Sequence, residues 1–185
     1  MEDILVAVCE MTSLDNIVEN EAQLFSLMKE AVSGGADLIS FPENALYLRI
    51  DEAGEKFALQ KDDPVFSRLS EFAIENKTLL HIGSVPVFEG EKIFNSTLMI
   101  DDNGKCDWVY SKIHLFDIEL KGRKPVKESD YYCPGNEPAI FNWRGLKFGM
   151  SICYDLRFAE LYSYYAGTRI RQERLPAQLH SGEAG

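Results

Sequence analysis

The feature that most constrains this chain is the alternation at its start. Two short apolar runs, residues 4–8 and 36–41, bracket a stretch in which Leu14, Ile17, Val18, Phe25, Met28 and Val32 keep a helical period. Ser13 stands where a side chain can cap that helix, and Gly34-Gly35 stands where it should end. The second run closes at Pro42-Glu43. A strand, a helix and a strand in this order point to an α/β architecture with helices packed outside a sheet.

The rhythm then changes. Residues 45–61 mix a short apolar run with Asp51-Glu52-Ala53-Gly54-Glu55 and read as a loop with some helix. Asp63-Pro64 supplies a cap and a first-turn proline for a helix reaching Asn76. Three strands follow, at 78–87, 93–100 and 106–115, joined by turn-forming Glu89-Gly90-Glu91 and Asp101-Asp102-Asn103-Gly104, as in a meander. Residues 117–138 hold too few apolar side chains for a regular element, and loops of that length usually serve a function. Runs at 139–143 and 146–152, linked by Arg144-Gly145, form a last hairpin. A helix over 155–166 comes next, with Leu156, Phe158, Leu161 and Tyr165 near one face.

Composition limits the function. With 30 acidic against 19 basic residues the formal charge is -11, which disfavours a nucleic-acid or anionic-membrane surface. The chain of 185 residues suits one domain with a sizeable core, at 45% hydrophobic content. No apolar stretch approaches membrane-spanning length, and Met1-Glu2-Asp3 opens straight into a strand-like run, so a cytoplasmic protein is expected. Cys9, Cys106, Cys133 and Cys153 show no C-x-x-C spacing and have three histidines for company, so neither a metal site nor a disulfide framework is indicated. The sequons at Asn76 and Asn95 mean little without secretion.

Chemistry-bearing residues gather at the ends of strand-like runs: Glu43 after the second, Lys112 late in the fifth, and Cys153 after the last. Open α/β sheets collect their sites at such ends. Each group alone is better read as topping its strand in solvent, and most cysteines among apolar residues are small core hydrophobes. Cys153, however, sits where strand becomes helix, and the backbone N–H groups ahead of it would favour thiolate over thiol. Histidine offers weaker options. His114 lies two residues after Lys112 and would share its face of an extended strand, so a Cys153–His114 dyad is conceivable. His81 lies among Leu79, Leu80 and Ile82, as a core residue would, and His180 lies near the chain end. The run Gly149-Met150-Ser151-Ile152-Cys153 is not a G-x-S-x-G elbow.

Three segments give these positions a common meaning. Phe41-Pro42-Glu43-Asn44, residues 110–117 (Tyr-Ser-Lys-Ile-His-Leu-Phe-Asp) and Cys153-Tyr154-Asp155-Leu156-Arg157-Phe158 resemble the three signature segments of the nitrilase, or carbon–nitrogen hydrolase, superfamily. They occur in the family's order, and the resemblance covers about residues 3 to 167. It implies an αββα sandwich with Glu43 as general base, Lys112 as oxyanion-stabilising cation and Cys153 as nucleophile. It also implies the Tyr154 backbone N–H as a second oxyanion donor, and matches Glu128 to a glutamate that many members place beside the triad. Within the superfamily the chain is most similar to the amidase branch, which includes ω-amidase and deaminated-glutathione amidase. The branch implies a small linear amide as substrate, no cofactor or metal, and a homo-oligomer in full-length form. Tyr154 stands where true nitrilases usually carry tryptophan, and Ala159 where the amidases commonly have proline.

Family members continue well beyond the position matching Gly167. In this chain residues 168–185, with Arg169, Arg171, Glu173 and Arg174, keep no strand or helix pattern. Two domain segments are therefore expected: a partial hydrolase domain over 1–167, lacking the C-terminal part of the sandwich, and a tail outside the fold. The alternative to an amidase is a catalytically inactive remnant or binding subunit that keeps the triad by descent.

Overall fold

The structure, a computed structural model, describes residues 3–50, 56–119, 121–122 and 125–168. Strand β1 (Val6–Val8) leads through helix α1 (Ile17–Ser33) to β2 (Leu38–Phe41), and helix α2 (Pro64–Asn76) leads on to β3 (Leu79–Glu89). These three strands pair in parallel, and β4 (Lys92–Ile100) and β5 (Cys106–Ser111) extend the sheet antiparallel, in the order β1-β2-β3-β4-β5. The expected α/β class and meander are both present.

The strand period sorts the core into two layers. Ile39 and Leu80, opposite each other in the register, face Leu24 and Met28 of α1 and Leu69 of α2. Their neighbours Leu38 and Leu79, also paired, face the other side with Met99. There they meet a hairpin of β8 (Ile140–Trp143) and β9 (Leu146–Gly149), which follows a two-residue ribbon of β6 (Asp117–Ile118) and β7 (Val126–Lys127). Helices, sheet and hairpin thus stack as successive layers, and full burial of each Leu or Met contributes about 1.5–3 kcal/mol.

Several boundaries differ from the sequence reading. Helix α1 is capped by Asn16, whose side chain accepts from the N–H groups of Val18 (3.1 Å) and Glu19 (3.4 Å), and not by Ser13. The buried Asn20 is the reason: it donates to the Leu14 carbonyl (2.7 Å) and accepts from the Leu14 N–H (2.8 Å), which keeps residue 14 out of the helix. Asp63 caps α2 as expected, with Pro64 at its first position. Among the described residues of 45–61 there is no helix, and Leu59 instead bridges to Val87; residues 51–55 lie outside the described residues. The stretch 117–138 does hold elements, because Asp117 accepts from the Ser129 N–H (3.0 Å) and hydroxyl (2.6 Å), polar bonds doing what apolar burial does elsewhere.

The last helix is shorter than its sequence pattern. A 3-10 turn spans Cys153–Arg157, Phe158 is extended (φ -108°, ψ 92°), and α3 (Ala159–Gly167) starts only then. Leu156 is accordingly exposed, while Leu161 and Tyr165 are buried. Ala159 occupies the first helical position, where proline is well tolerated. Of the expected tail only Thr168 is described, its N–H donating to the Tyr165 carbonyl (3.1 Å); the rest lies outside the described residues.

His81, in β3, is the core residue its neighbours indicate, buried with Nδ1 2.9 Å from the Ser40 hydroxyl. Burial holds it down to about 4. The unfolded chain takes up this proton near 6.5 and the folded chain does not, so the stabilisation is present above 6.5 and is lost as pH falls towards 4. About 3 kcal/mol should disappear over that window. Urea midpoints at several pH values should fall with acid more steeply in the wild type than in His81→Gln; parallel slopes would refute this.

Among the described residues no helix is long and apolar enough to cross a membrane, and no His, Cys, Asp and Glu cluster is suited to a metal ion.

Candidate functional site

Three strand exits converge. The loop after β2 carries Glu43 and is seated on an irregularity in β3. There Ser84 donates to the Pro42 carbonyl (3.3 Å), and its side chain and carbonyl accept from Asn44 and Ala45 (2.9 and 3.1 Å). Asn44 takes a positive φ of 57°, turning the chain sharply just after Glu43. Strand β5 ends at Ser111, and Lys112 is then fixed by its N–H to Asn95 (2.9 Å) and its carbonyl to Gly135 (2.8 Å). Glu128 opens a 3-10 turn, with the N–H groups of Tyr131 and Tyr132 on its carbonyl (3.0 and 2.8 Å).

These backbones bring one ammonium between two carboxylates. Lys112 Nζ lies 2.9 Å from Glu43 Oε1 and 2.9 Å from Glu128 Oε1, with its side chain 1% exposed. Burial works against the lysine charge, but Glu43 and Glu128 outweigh it and raise its pKa. Glu128 Oε2 is occupied by the Phe116 N–H, so that carboxylate is spent on positioning. Glu43 Oε1 also accepts from Asn95 Nδ2 (2.8 Å). Asn95 is fully buried, and sequence reasoning missed it, since a polar residue in a strand pattern gives no signal that its side chain points at a carboxylate.

Cys153 completes the group. It is exposed as a residue and has φ of 45°, a strained value for a non-glycine that clusters at functional sites. The helix start does not lower its pKa as the sequence suggested, because only a short 3-10 turn follows. Withdrawal from water and then the Glu43 charge and hydrogen bond push the thiol up to about 11, with Lys112 pulling the other way. The resting group is a thiol facing a carboxylate that can take its proton. The Tyr154 ring, one residue after the thiol, packs edge-on against Phe116 (5.0 Å) and Phe158 (5.6 Å).

His114 does not share the face of Lys112, because the strand has ended before either. Its Nδ1 lies 2.6 Å from Asp155 Oδ1 and its ring stacks on Phe158 at 3.6 Å. The other cysteines are differently placed. Cys9 is buried and Cys106 half-buried, and burial raises both thiols. Asp155, fully buried, was also missed as anything more than a motif letter.

Comparison with known proteins fits this geometry. Residues 5–171 match the model of the family described as carbon-nitrogen hydrolase. The deaminated glutathione amidase of Yersinia enterocolitica is 32% identical over 88% of this chain and 58% of its own. Human omega-amidase NIT2 is 34% identical over 80% of this chain and 54% of its own. The structure of Saccharomyces cerevisiae Nit3, a member of the nitrilase superfamily, superposes with a TM-score of 0.76 at 23% identity, over 90% of this chain and 61% of that one. The chain spans about half the length of the curated relatives it matches. Its fold is accordingly that of the nitrilase sandwich, and the chain belongs to the carbon–nitrogen hydrolase family.

Proposed function

We propose that this site hydrolyses the C–N bond of a small linear amide through a cysteine thioester. The observation that carries the reading is the single ammonium, 2.9 Å from each of two carboxylates, one of which also meets the thiol. Glu43 removes the Cys153 proton as sulfur attacks the amide carbon, a role that a thiol held at about 11 requires. Lys112 and the Tyr154 backbone N–H hold the tetrahedral oxyanion. Glu43 returns the proton to the departing amine, leaving the thioester. It then takes a proton from water, whose oxygen attacks the acyl carbon, and the carboxylic acid leaves as the thiol is restored. Glu128 keeps Lys112 charged and in place. No step calls for a metal or organic cofactor.

The amidase names of the relatives support an amide as substrate, and the proposal places this chemistry in a cytoplasmic homo-oligomer. The partial domain over 1–167 carries all of the chemistry under this reading. Purified chain should release ammonia from a panel of short linear amides, and Cys153→Ala should abolish release, a loss of at least about 10³-fold. Equal turnover by Cys153→Ala would refute the triad. No turnover by a well-folded wild type would favour the binding-subunit alternative.

A further inference from the structure

We propose that Asp155 is a positioning residue whose one buried carboxylate ties the Cys153 turn to the segment that carries Lys112. The proposal rests on reading Cys153 and Lys112 as reacting groups. Asp155 is fully buried, and among the described residues both of its oxygens are doubly occupied. Oδ2 accepts from the Tyr110 hydroxyl (2.6 Å) and the Ile152 N–H (2.9 Å); Oδ1 accepts from the His114 N–H (3.0 Å) and ring Nδ1 (2.6 Å). A carboxylate offers about four lone-pair sites, and all four are filled.

The donors come from two places that are far apart in sequence. Tyr110 and His114 flank Lys112, and the Tyr110 hydroxyl also accepts from the Ile113 N–H (3.3 Å). Ile152 immediately precedes Cys153 and is clamped reciprocally, since the Asp155 N–H donates to the Ile152 carbonyl (3.0 Å). The clamp encloses the residue whose φ is positive. Strain of that kind persists only where the surroundings over-determine the backbone, and Asp155 supplies that constraint. An asparagine could not replace it, because its amide N–H₂ would face two donors. His114 Nδ1 must be the protonated nitrogen, because a carboxylate only accepts.

If Asp155 lets go, the turn relaxes, and the thiol gains water and moves away from Glu43, which together outweigh the loss of Lys112. Its pKa should then fall from about 11 towards an ordinary thiol. The test is residue-resolved iodoacetamide labelling of the chain across pH, read by mass spectrometry. Asp155→Asn should label at Cys153 about tenfold faster than wild type near pH 9, with Cys9 and Cys106 still protected. An unchanged Cys153 profile with Cys9 and Cys106 protected would overturn the proposal. If Asp155→Asn exposes Cys9 and Cys106, Tyr110→Phe decides: a smaller shift in the same direction supports the role, and no shift overturns it. Glu43→Gln separates the two readings. It should accelerate Cys153 labelling if Glu43 meets the thiol, so no effect there would refute the site itself, whereas an effect there without one at Asp155 refutes only the positioning role.

Discussion

Lys112→Ala should lose amide turnover by at least about 10³-fold and unfold at markedly lower urea than wild type. Two effects combine. Under the proposed mechanism the oxyanion loses its charged donor, and Glu43 and Glu128 lose the cation that both of them contact at 2.9 Å. Their side chains are only 25% and 18% exposed, so water replaces the lost partner poorly. Breaking a buried ion pair by removing one partner typically costs about 3–5 kcal/mol, because a charge is left uncompensated. Lys112→Met fills the same space and should be as inactive, which isolates the charge from the packing. In the wild type the raised lysine pKa has a definite sign: the stabilisation is present below about 10.5, the ordinary value, and is lost as pH rises through the folded one. Urea midpoints and ammonia release measure both parts. A Lys112→Ala protein with the wild-type midpoint would show that the two carboxylates do not depend on it.

What was legible in the sequence is what local physics decides. Asp63-Pro64 starts α2 where expected because a cap and a first-turn proline act within one turn of chain. The meander was legible because its turns lie between its strands. The start of α1 was not, because Asn20 reaches back six residues to hold Leu14 out of the helix, and Asn16 then takes the cap. The helix after Cys153 was misread for a similar reason. Its apolar period is real, but Asp155 is bound to Tyr110 and His114, more than forty positions away, and holds a 3-10 turn there. For the site, strand-end position singles out Glu43, Lys112 and Cys153, family resemblance supplies their roles and adds Glu128, and the structure brings the four together. Asn95 and Asp155 gave no signal, because a buried polar residue is recognisable only once its partners are in place. The thiol departs from its sequence expectation because withdrawal from water and then Glu43, neither visible as a neighbour in the sequence, raise it, and only a 3-10 turn follows it.

Gly83→Ala and Gly135→Ala should each cost about 3 kcal/mol or more and lower turnover along with stability. Neither glycine takes a positive φ, so backbone conformation is not the issue; room is. A Cβ on Gly83 would come within 3.0 Å of the Phe41 carbonyl oxygen, in the stretch that delivers Glu43. A Cβ on Gly135 would come as close to the Ser111 carbonyl, immediately before Lys112, whose own carbonyl accepts from the Gly135 N–H at 2.8 Å. In both cases the obstacle is backbone, which cannot swing aside as a side-chain end does. The added methyl must therefore push a strand exit, and with it a reacting group. Overpacking typically costs about 1–3 kcal/mol, and immovable neighbours place these two at or above the top of that range. Gly167→Ala is the control: it ends α3 with nothing near its Cβ, so alanine should be neutral or stabilising by up to about 1 kcal/mol. Urea denaturation of the three variants reads the difference directly. Equal midpoints for Gly83→Ala and Gly167→Ala would mean that the Phe41–Glu43 exit yields easily, and a yielding strand end could not keep Glu43 on Lys112, Asn95 and the thiol together.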